Sequence, residues 1–425
     1  MAAVLATTPS ASALSAVRDA CPTAADADEH DGVDGVRPAL VAYPTSTEET
    51  SRVMRAAAAH GLVVVPRGRG TKLTWGQPPT RVDLVVDVSR MDRVVDHAPG
   101  DLVVQTQAGT RLSSLQRAVA DAGQRLAVDE MVPGASVGGM VATSTSGPQR
   151  VLAGTVRDLL IGVTIVRADG VVARAGGRVV KNVAGYDLGK LVTGSFGTLG
   201  IITETVFRLH PLPAARRFVA VSVRDADEAH DVVQSVVHGQ VVPSAVEVDL
   251  PAEGSGMVVV LLEGTEGGVA ARTGSTLALV RRSTVDVSEQ APAWWATYPW
   301  TGGEGEVELK LTFALTGLPR VLSALRTMSV EEAVPVTVRG SAGAGVVYAA
   351  LPNRTDPAFV VRLAQQLRVT CRGYGGAAVI VDGPAAVKKA VDLWGPIPAL
   401  DLMRRVKDQF DPQNRLSPGR FVGGI

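Results

Sequence analysis

The chain has 425 residues, with 42 Lys+Arg balanced by 42 Asp+Glu, 46% hydrophobic and 20% charged. That length suits two or three domains, because a single core stops growing near about 250–300 residues. A net charge of zero supplies no field to gather nucleic acid, and two cysteines, Cys21 and Cys371, exclude a disulfide framework or a cysteine-ligated cluster.

Residues 1–35 are poor in large apolar groups and read as a flexible segment, with a short helix over 11–20 and a polar linker over 26–35. Folded structure is predicted from Arg37, with a strand over 40–43. Ser46 and Glu49 then form a capping box for a helix that stops at Gly61. The apolar run 62–66 predicts a buried strand that delivers the loop Pro66-Arg67-Gly68-Arg69-Gly70-Thr71 at its carboxyl end, a common place for ligand sites in α/β folds. Strands over 82–88 and 102–107 follow, then a helix over 110–122 with Leu112, Leu115 and Val119 on one face. Asp169-Gly170 marks a hairpin between 163–167 and 171–175, and a strand over 201–209 ends this half.

The second half reads as β-α-β-β-α-β over 218–288 and the same again over 307–381, joined by the aromatic stretch 294–300. Two ferredoxin-like halves or one mixed sheet with helices on a face both satisfy this pattern. An amphipathic helix over 399–410 stops at Asp411-Pro412. No apolar run approaches the ~18 residues that span a bilayer. The amino terminus also lacks the basic start of a signal peptide, so a cytoplasmic protein is expected.

Glycines crowd three further segments: Pro133-Gly134-Ala135-Ser136-Val137-Gly138-Gly139, Lys181-Asn182-Val183-Ala184-Gly185-Tyr186-Asp187-Leu188 and Gly194-Ser195-Phe196-Gly197-Thr198-Leu199-Gly200. Glycine lets backbone approach a ligand without an intervening Cβ. A glycine-rich loop also exposes N–H groups as an anion nest. With Arg67–Thr71 these segments suit a large, flat, phosphate-bearing ligand, although each alone could be a surface turn. No G-x-G-x-x-G occurs, which disfavours a dinucleotide fingerprint of that kind.

Together these motifs resemble the FAD-binding domain shared by vanillyl-alcohol oxidase and p-cresol methylhydroxylase (the PCMH type). Within that superfamily KNVAGYDL followed by GSFGTLGIITE looks most like the FAD-binding subunits of bacterial glycolate oxidases. The resemblance implies an α+β fold: a PCMH-type FAD domain of two α/β subdomains over 36–213, a cap with a ferredoxin-like pattern over 214–398, and a return segment over 399–425. It implies cofactor contacts from Pro66, Arg67, Gly68, Arg69, Gly70, Thr71, Pro133, Gly134, Val137, Gly138, Gly139, Ala142 and Thr143, with Arg67 or Arg69 as the phosphate's charge partner. Gly200, Ile201 and Ile202 would meet the adenine side. Arg157 and Asp158 would sit near the adenine or ribityl part, or form a plain surface pair.

The polar cluster Lys181, Asn182, Tyr186 and Asp187 would face the flavin, Lys181 stabilising the anion of the reduced ring. Each of these could instead be a solvated or core residue. No His or Cys lies between Pro66 and Gly76, so non-covalent FAD is expected, and no histidine follows Gly239 to build a histidine-rich substrate site. The implied function is oxidation of glycolate or D-lactate to the 2-oxo acid within a glycolate oxidase-type complex. Its partners would be a second flavoprotein and an iron–sulfur subunit, with peripheral attachment to the inner membrane through the complex. A self-sufficient FAD oxidase or dehydrogenase, and a non-catalytic assembly subunit, are the alternatives.

Overall fold

A computed structural model describes residues 9–178, 186–253, 255–280, 284–301 and 305–425. From residue 9 onward the amino-terminal segment packs on the first core. Ser10 caps the helix Ala11–Ala20 by accepting from the Ala13 N–H at 3.2 Å, and the helix buries Ala13 and Val17 in the first core. The short strand Ala25–Asp26 pairs antiparallel with Leu40–Ala42. Composition hid this packing because small residues, rather than large apolar ones, make the contact.

The helix Thr47–Ala59 begins as its sequence says, with Ser46 Oγ accepting from the Glu49 N–H at 3.1 Å. Glu49 reaches one residue further back than a capping box requires, to the Thr45 N–H at 2.8 Å and the Thr45 hydroxyl at 2.9 Å. Val53, Met54 and Ala57 turn inward from this helix. Leu40–Ala42, Leu84–Asp87 and Val64–Arg67 lie side by side and parallel, with Leu84–Asp87 in the middle. A second sheet is antiparallel throughout, in the order Val94–Ala98, Val103–Gln107, Ile201–Arg208, Leu160–Val166, Val172–Gly176. Its last two strands form the hairpin expected at Asp169-Gly170, where Gly170 takes φ +79°. The edge strand Val94–Ala98 was not legible, since its residues are half-buried or exposed and carry no alternation.

The cap is one eight-stranded sheet that joins both ferredoxin-like halves, and it is antiparallel rather than mixed. Ala215–Val223, Ala245–Leu250, Gly256–Gly264 and Val285–Ser288 make one ferredoxin-like half; Val307–Thr312, Thr337–Ser341, Val346–Leu351 and Ala378–Asp382 make the other. The halves join where Val248, Asp249 and Leu250 pair with Gly340, Arg339 and Val338. Period-two alternation sends Val219, Val221, Val258, Val260, Leu309 and Leu311 to one face, under the helices Ala226–Val237, Leu318–Glu331 and Pro357–Gly373. The opposite face looks at the first half of the chain: Arg125 grips Glu263 through two bonds of 2.7 and 2.8 Å, and Arg150 meets Tyr348. Lys388 joins the two halves more tightly still, bonding Asp34 at 2.8 Å, Asp382 at 2.7 Å and the Thr74 carbonyl.

After the helix Leu400–Phe410 the chain runs back along Val64–Arg67. Val64 donates to the Arg415 carbonyl at 2.8 Å and accepts from Ser417 at 2.9 Å, with Leu416 buried in the first core. Lys407 fixes this segment, its buried ammonium bonding Asp411 Oδ2 at 2.7 Å, the Thr198 carbonyl at 2.8 Å and the Leu416 carbonyl at 2.9 Å.

Candidate functional site

Beyond the end of Val64–Arg67 the chain enters an open cleft. Pro66, Arg67, Gly68, Arg69, Gly70 and Thr71 all line it. Among the described residues no protein acceptor is found for the N–H groups of Gly68, Arg69, Gly70 or Thr71. Four successive unpaired donors in one loop make the anion nest that a pyrophosphate requires.

The two arginines behave otherwise than expected. Arg67 places its guanidinium 2.5 Å from Asp87 and 2.8 Å from Asp31, and Arg69 bonds the Gly109 carbonyl at 3.0 Å and reaches Asp92 at 3.4 Å. Burial works against the charge on Arg67, but the two carboxylates outweigh it and hold its pKa above the ordinary value. Both cations are thus engaged, and the nest itself offers the free donors.

The second loop runs into the helix Val137–Ala142, capped by Ser136, whose Oγ accepts from the Gly139 N–H at 3.2 Å. Gly138, Gly139, Ala142 and Thr143 line the cleft; Pro133, Gly134 and Val137 do not. Val137 is wholly buried and donates to Thr110 at 2.9 Å, while Gly138 donates to Ala108 at 2.8 Å. A Cβ on Gly138 would stand 2.7 Å from the Ala108 Cβ, so its first constraint is packing and not the ligand. The two loops touch where a Cβ on Gly68 would lie 2.1 Å from Ser136 Oγ.

Gly200, Ile201 and Ile202 complete the lining at the start of their strand. Arg157 and Asp158 are not in the lining. Asp158 caps its own short helix, accepting from the Thr155 N–H at 2.8 Å and hydroxyl at 2.7 Å, and Arg157 bonds the Lys190 carbonyl at 3.3 Å. Lys181 and Asn182 lie outside the described residues. Tyr186 is 94% exposed, and Asp187 caps the helix Leu188–Val192.

Sequence reasoning missed Lys72 and Arg420; with Ser136, Phe196 and Gly197 from the glycine-rich segments, they line the cleft. Lys72 is only 9% exposed, with a long 3.4 Å contact to the Thr71 hydroxyl and the Trp75 ring 5.9 Å away. Burial pushes its pKa down to about 8, Glu130 pulling the other way. Arg420 comes from the returning tail and donates to the carbonyls of Leu73 at 2.8 Å and Trp75 at 2.7 Å, leaving Nη1 without a partner. Burial lowers its pKa to about 10 against the charges of Asp34 and Asp382. Lys72 directly follows the first loop, so proximity could have flagged it; no local signal marks Arg420.

An anion nest, a pair of buried cations and a glycine-walled slot suit a cofactor that carries both a diphosphate and a ring. An aromatic cluster joins the cap to the first half, Trp75 and Met131 meeting Tyr298, Tyr348 and Val381, and Phe196, packed against it, also lines the cleft.

Comparison with known proteins fits this geometry. Residues 38–176 match the FAD binding domain family, and residues 394–421 match the C-terminal domain of FAD linked oxidases. The chain is 24% identical over 417 residues to the glycolate oxidase subunit GlcD of Bacillus subtilis, covering 90% of this chain and 89% of that one. It is 27% identical over 423 residues to the mitochondrial D-lactate dehydrogenase [cytochrome] of Arabidopsis thaliana, covering 91% and 73%. Identity rises to 35% over 214 residues with the glycolate oxidase subunit GlcE of Escherichia coli, covering 49% of this chain and 58% of that one. Among solved structures, p-cresol methylhydroxylase with substrate bound superposes with a TM-score of 0.75 at 16% identity, covering 96% of each chain. Residues 38–176 therefore carry an FAD binding domain, the chain shares the fold of p-cresol methylhydroxylase, and FAD is its cofactor.

Proposed function

We propose that the protein is the FAD-binding subunit of a glycolate oxidase-type complex. It oxidises a 2-hydroxy acid, glycolate or D-lactate, to the 2-oxo acid and passes the electrons to an iron–sulfur partner. The observation that carries this reading is the flavin cleft, which reaches through Phe196 to an aromatic cluster shared with the cap sheet. Similarity along nearly the whole chain to a glycolate oxidase subunit and a D-lactate dehydrogenase supports the substrate class. Similarity to two different glycolate oxidase subunits supports a multi-subunit setting with a second flavoprotein.

In this reading the loop 68–71 holds the diphosphate, while Ile201 and Ile202 flank the adenine side. Lys72 and Arg420 supply positive charge where the reduced ring gains negative charge. Lys181, Asn182 and Tyr186 are proposed to approach the ring from the segment that ends at the exposed Tyr186. FAD is proposed to be held without a covalent bond, since no His or Cys lies between Pro66 and Gly76. No helix among the described residues is long and apolar enough to cross a membrane. The subunit is proposed to work in the cytoplasm, meeting the inner membrane only through its partners.

The aromatic cluster also favours a second reading, in which this chain oxidises its substrate unaided. An anaerobic titration decides between them. Purified holoprotein bleached by glycolate or D-lactate without partners is an independent enzyme. A protein bleached only when its partner subunits are added is part of a relay. Holoprotein that neither treatment bleaches would be an assembly subunit. Acid precipitation should release the flavin intact.

A further inference from the structure

We propose that Arg150 and Tyr348 form the subsite that receives the carboxylate of the 2-hydroxy acid, an inference that rests on the function proposed above. Arg150 opens the short helix Arg150–Ala153 on the flavin side, and Tyr348 stands on the cap strand Val346–Leu351. The guanidinium donates through Nε to the Gly147 carbonyl at 3.1 Å and through Nη2 to the Tyr348 hydroxyl at 3.3 Å. Among the described residues no carboxylate lies within 4 Å of it in an ion pair. A half-buried charge left without an opposite charge is costly, and persists where a ligand is meant to supply one.

The neighbouring acids do not fill that role. Burial pushes Glu247 up to about 8, despite a hydrogen bond from Ser341 and the charge of Arg150, so it is largely neutral at pH 7. Burial also raises Asp129, whose oxygens are taken by the backbone and side-chain amides of Gln149 at 2.9 and 3.0 Å.

The walls are rigid and aromatic. Tyr298 stacks on Trp300 at 4.2 Å and meets Tyr348 edge-on at 4.7 Å and Trp75 at 5.8 Å. Phe196, which lines the flavin cleft, packs against this same cluster, which links the Arg150–Tyr348 pair to the cleft. A guanidinium offers parallel donors that match a carboxylate, and the Tyr348 hydroxyl adds a third from the opposite domain. Burial alone would raise the Tyr348 pKa, but the charges of Arg150 and Lys310 and the bonds from Arg150 and Tyr298 bring it below the ordinary value, which sharpens its O–H as a donor.

The test titrates the holoprotein with oxalate, a carboxylate that has no hydrogen to give up, and follows the flavin absorption band. Arg150→Met should weaken oxalate binding by about 10- to 100-fold and Tyr348→Phe by about 2- to 10-fold, with flavin content retained. Arg150→Lys should recover part of the loss, and KM for the reducing substrate should rise more than kcat falls. Oxalate binding equal to the wild type in both variants overturns the subsite while leaving the proposed reaction in place. Should Arg150→Met fail to fold, Tyr348→Phe, which removes one oxygen from a packed ring, decides alone. Wild-type holoprotein that neither binds oxalate nor is bleached by any 2-hydroxy acid overturns the proposed function, and the subsite with it.

Discussion

Gly68 and Ser136 stand so close that a Cβ on the glycine would lie 2.1 Å from the serine Oγ. The first flavin loop and the cap of the second are thereby set at one fixed separation, and Ser136 cannot yield without giving up its bond to the Gly139 N–H.

Gly68→Ala should accordingly push the two loops apart and spoil the nest. Fluorescence titration of the apoprotein with FAD should show affinity lower by at least about tenfold. Overpacking should cost about 1–3 kcal/mol of stability. Wild-type flavin affinity in this variant would show that the loops are not coupled through this contact.

Gly138→Val should act differently from Gly68→Ala. Its side chain would meet the Cβ and carbonyl of Ala108, at 2.7 and 3.0 Å, before it met a ligand. The apoprotein itself should lose stability, read as a lower denaturation midpoint with no FAD present. A variant whose apoprotein is as stable as the wild type but no longer binds FAD would contradict this packing role.

Lys72 should make the apoprotein's stability depend on pH. Its pKa falls from 10.5 to about 8 on folding, so between those values the unfolded chain binds more protons than the native one. Stability therefore rises with pH across that window, and the full penalty, about 3 kcal/mol, is present below pH 8. Apoprotein carrying Lys72→Met should be more stable than wild type at pH 7 and should lack the rise above pH 8. Parallel stability–pH curves for the two proteins would rule the effect out.

Lys407→Met would strand the Asp411 carboxylate in a buried site together with the Thr198 and Leu416 carbonyls. Removing one partner of a buried pair typically costs about 3–5 kcal/mol. The returning tail should then be cut early in limited proteolysis, and FAD should be lost with it because Arg420 leaves the cleft. Unchanged cleavage kinetics would mean that Leu416 alone secures the tail.

Much of this was written in the sequence, and the rest failed for identifiable reasons. The first loop was legible because an apolar strand and a glycine run adjoin in the chain. The ferredoxin-like repeat was legible from alternating valines, though its fusion into one sheet depends on the pairing of Val248 with Gly340, which no local pattern encodes. Arg67 looked like a phosphate ligand because nothing near it in the chain announces Asp31 and Asp87 as its partners. Arg150 and Tyr348 were invisible for the same cause, since each is ordinary where it stands and they meet only across the domain boundary.

The pairing of Val64 with Arg415 and Ser417 carries a further consequence for how the protein folds. The strand that presents the first flavin loop gains this neighbour only from residues about 350 positions further along the chain. Contacts between segments so far apart in the chain close slowly, since the loop entropy must be overcome first. The nest therefore reaches its final shape only after residues 415–417 have docked, and folding chains should pass through a stage in which both cores are formed but flavin is not yet held.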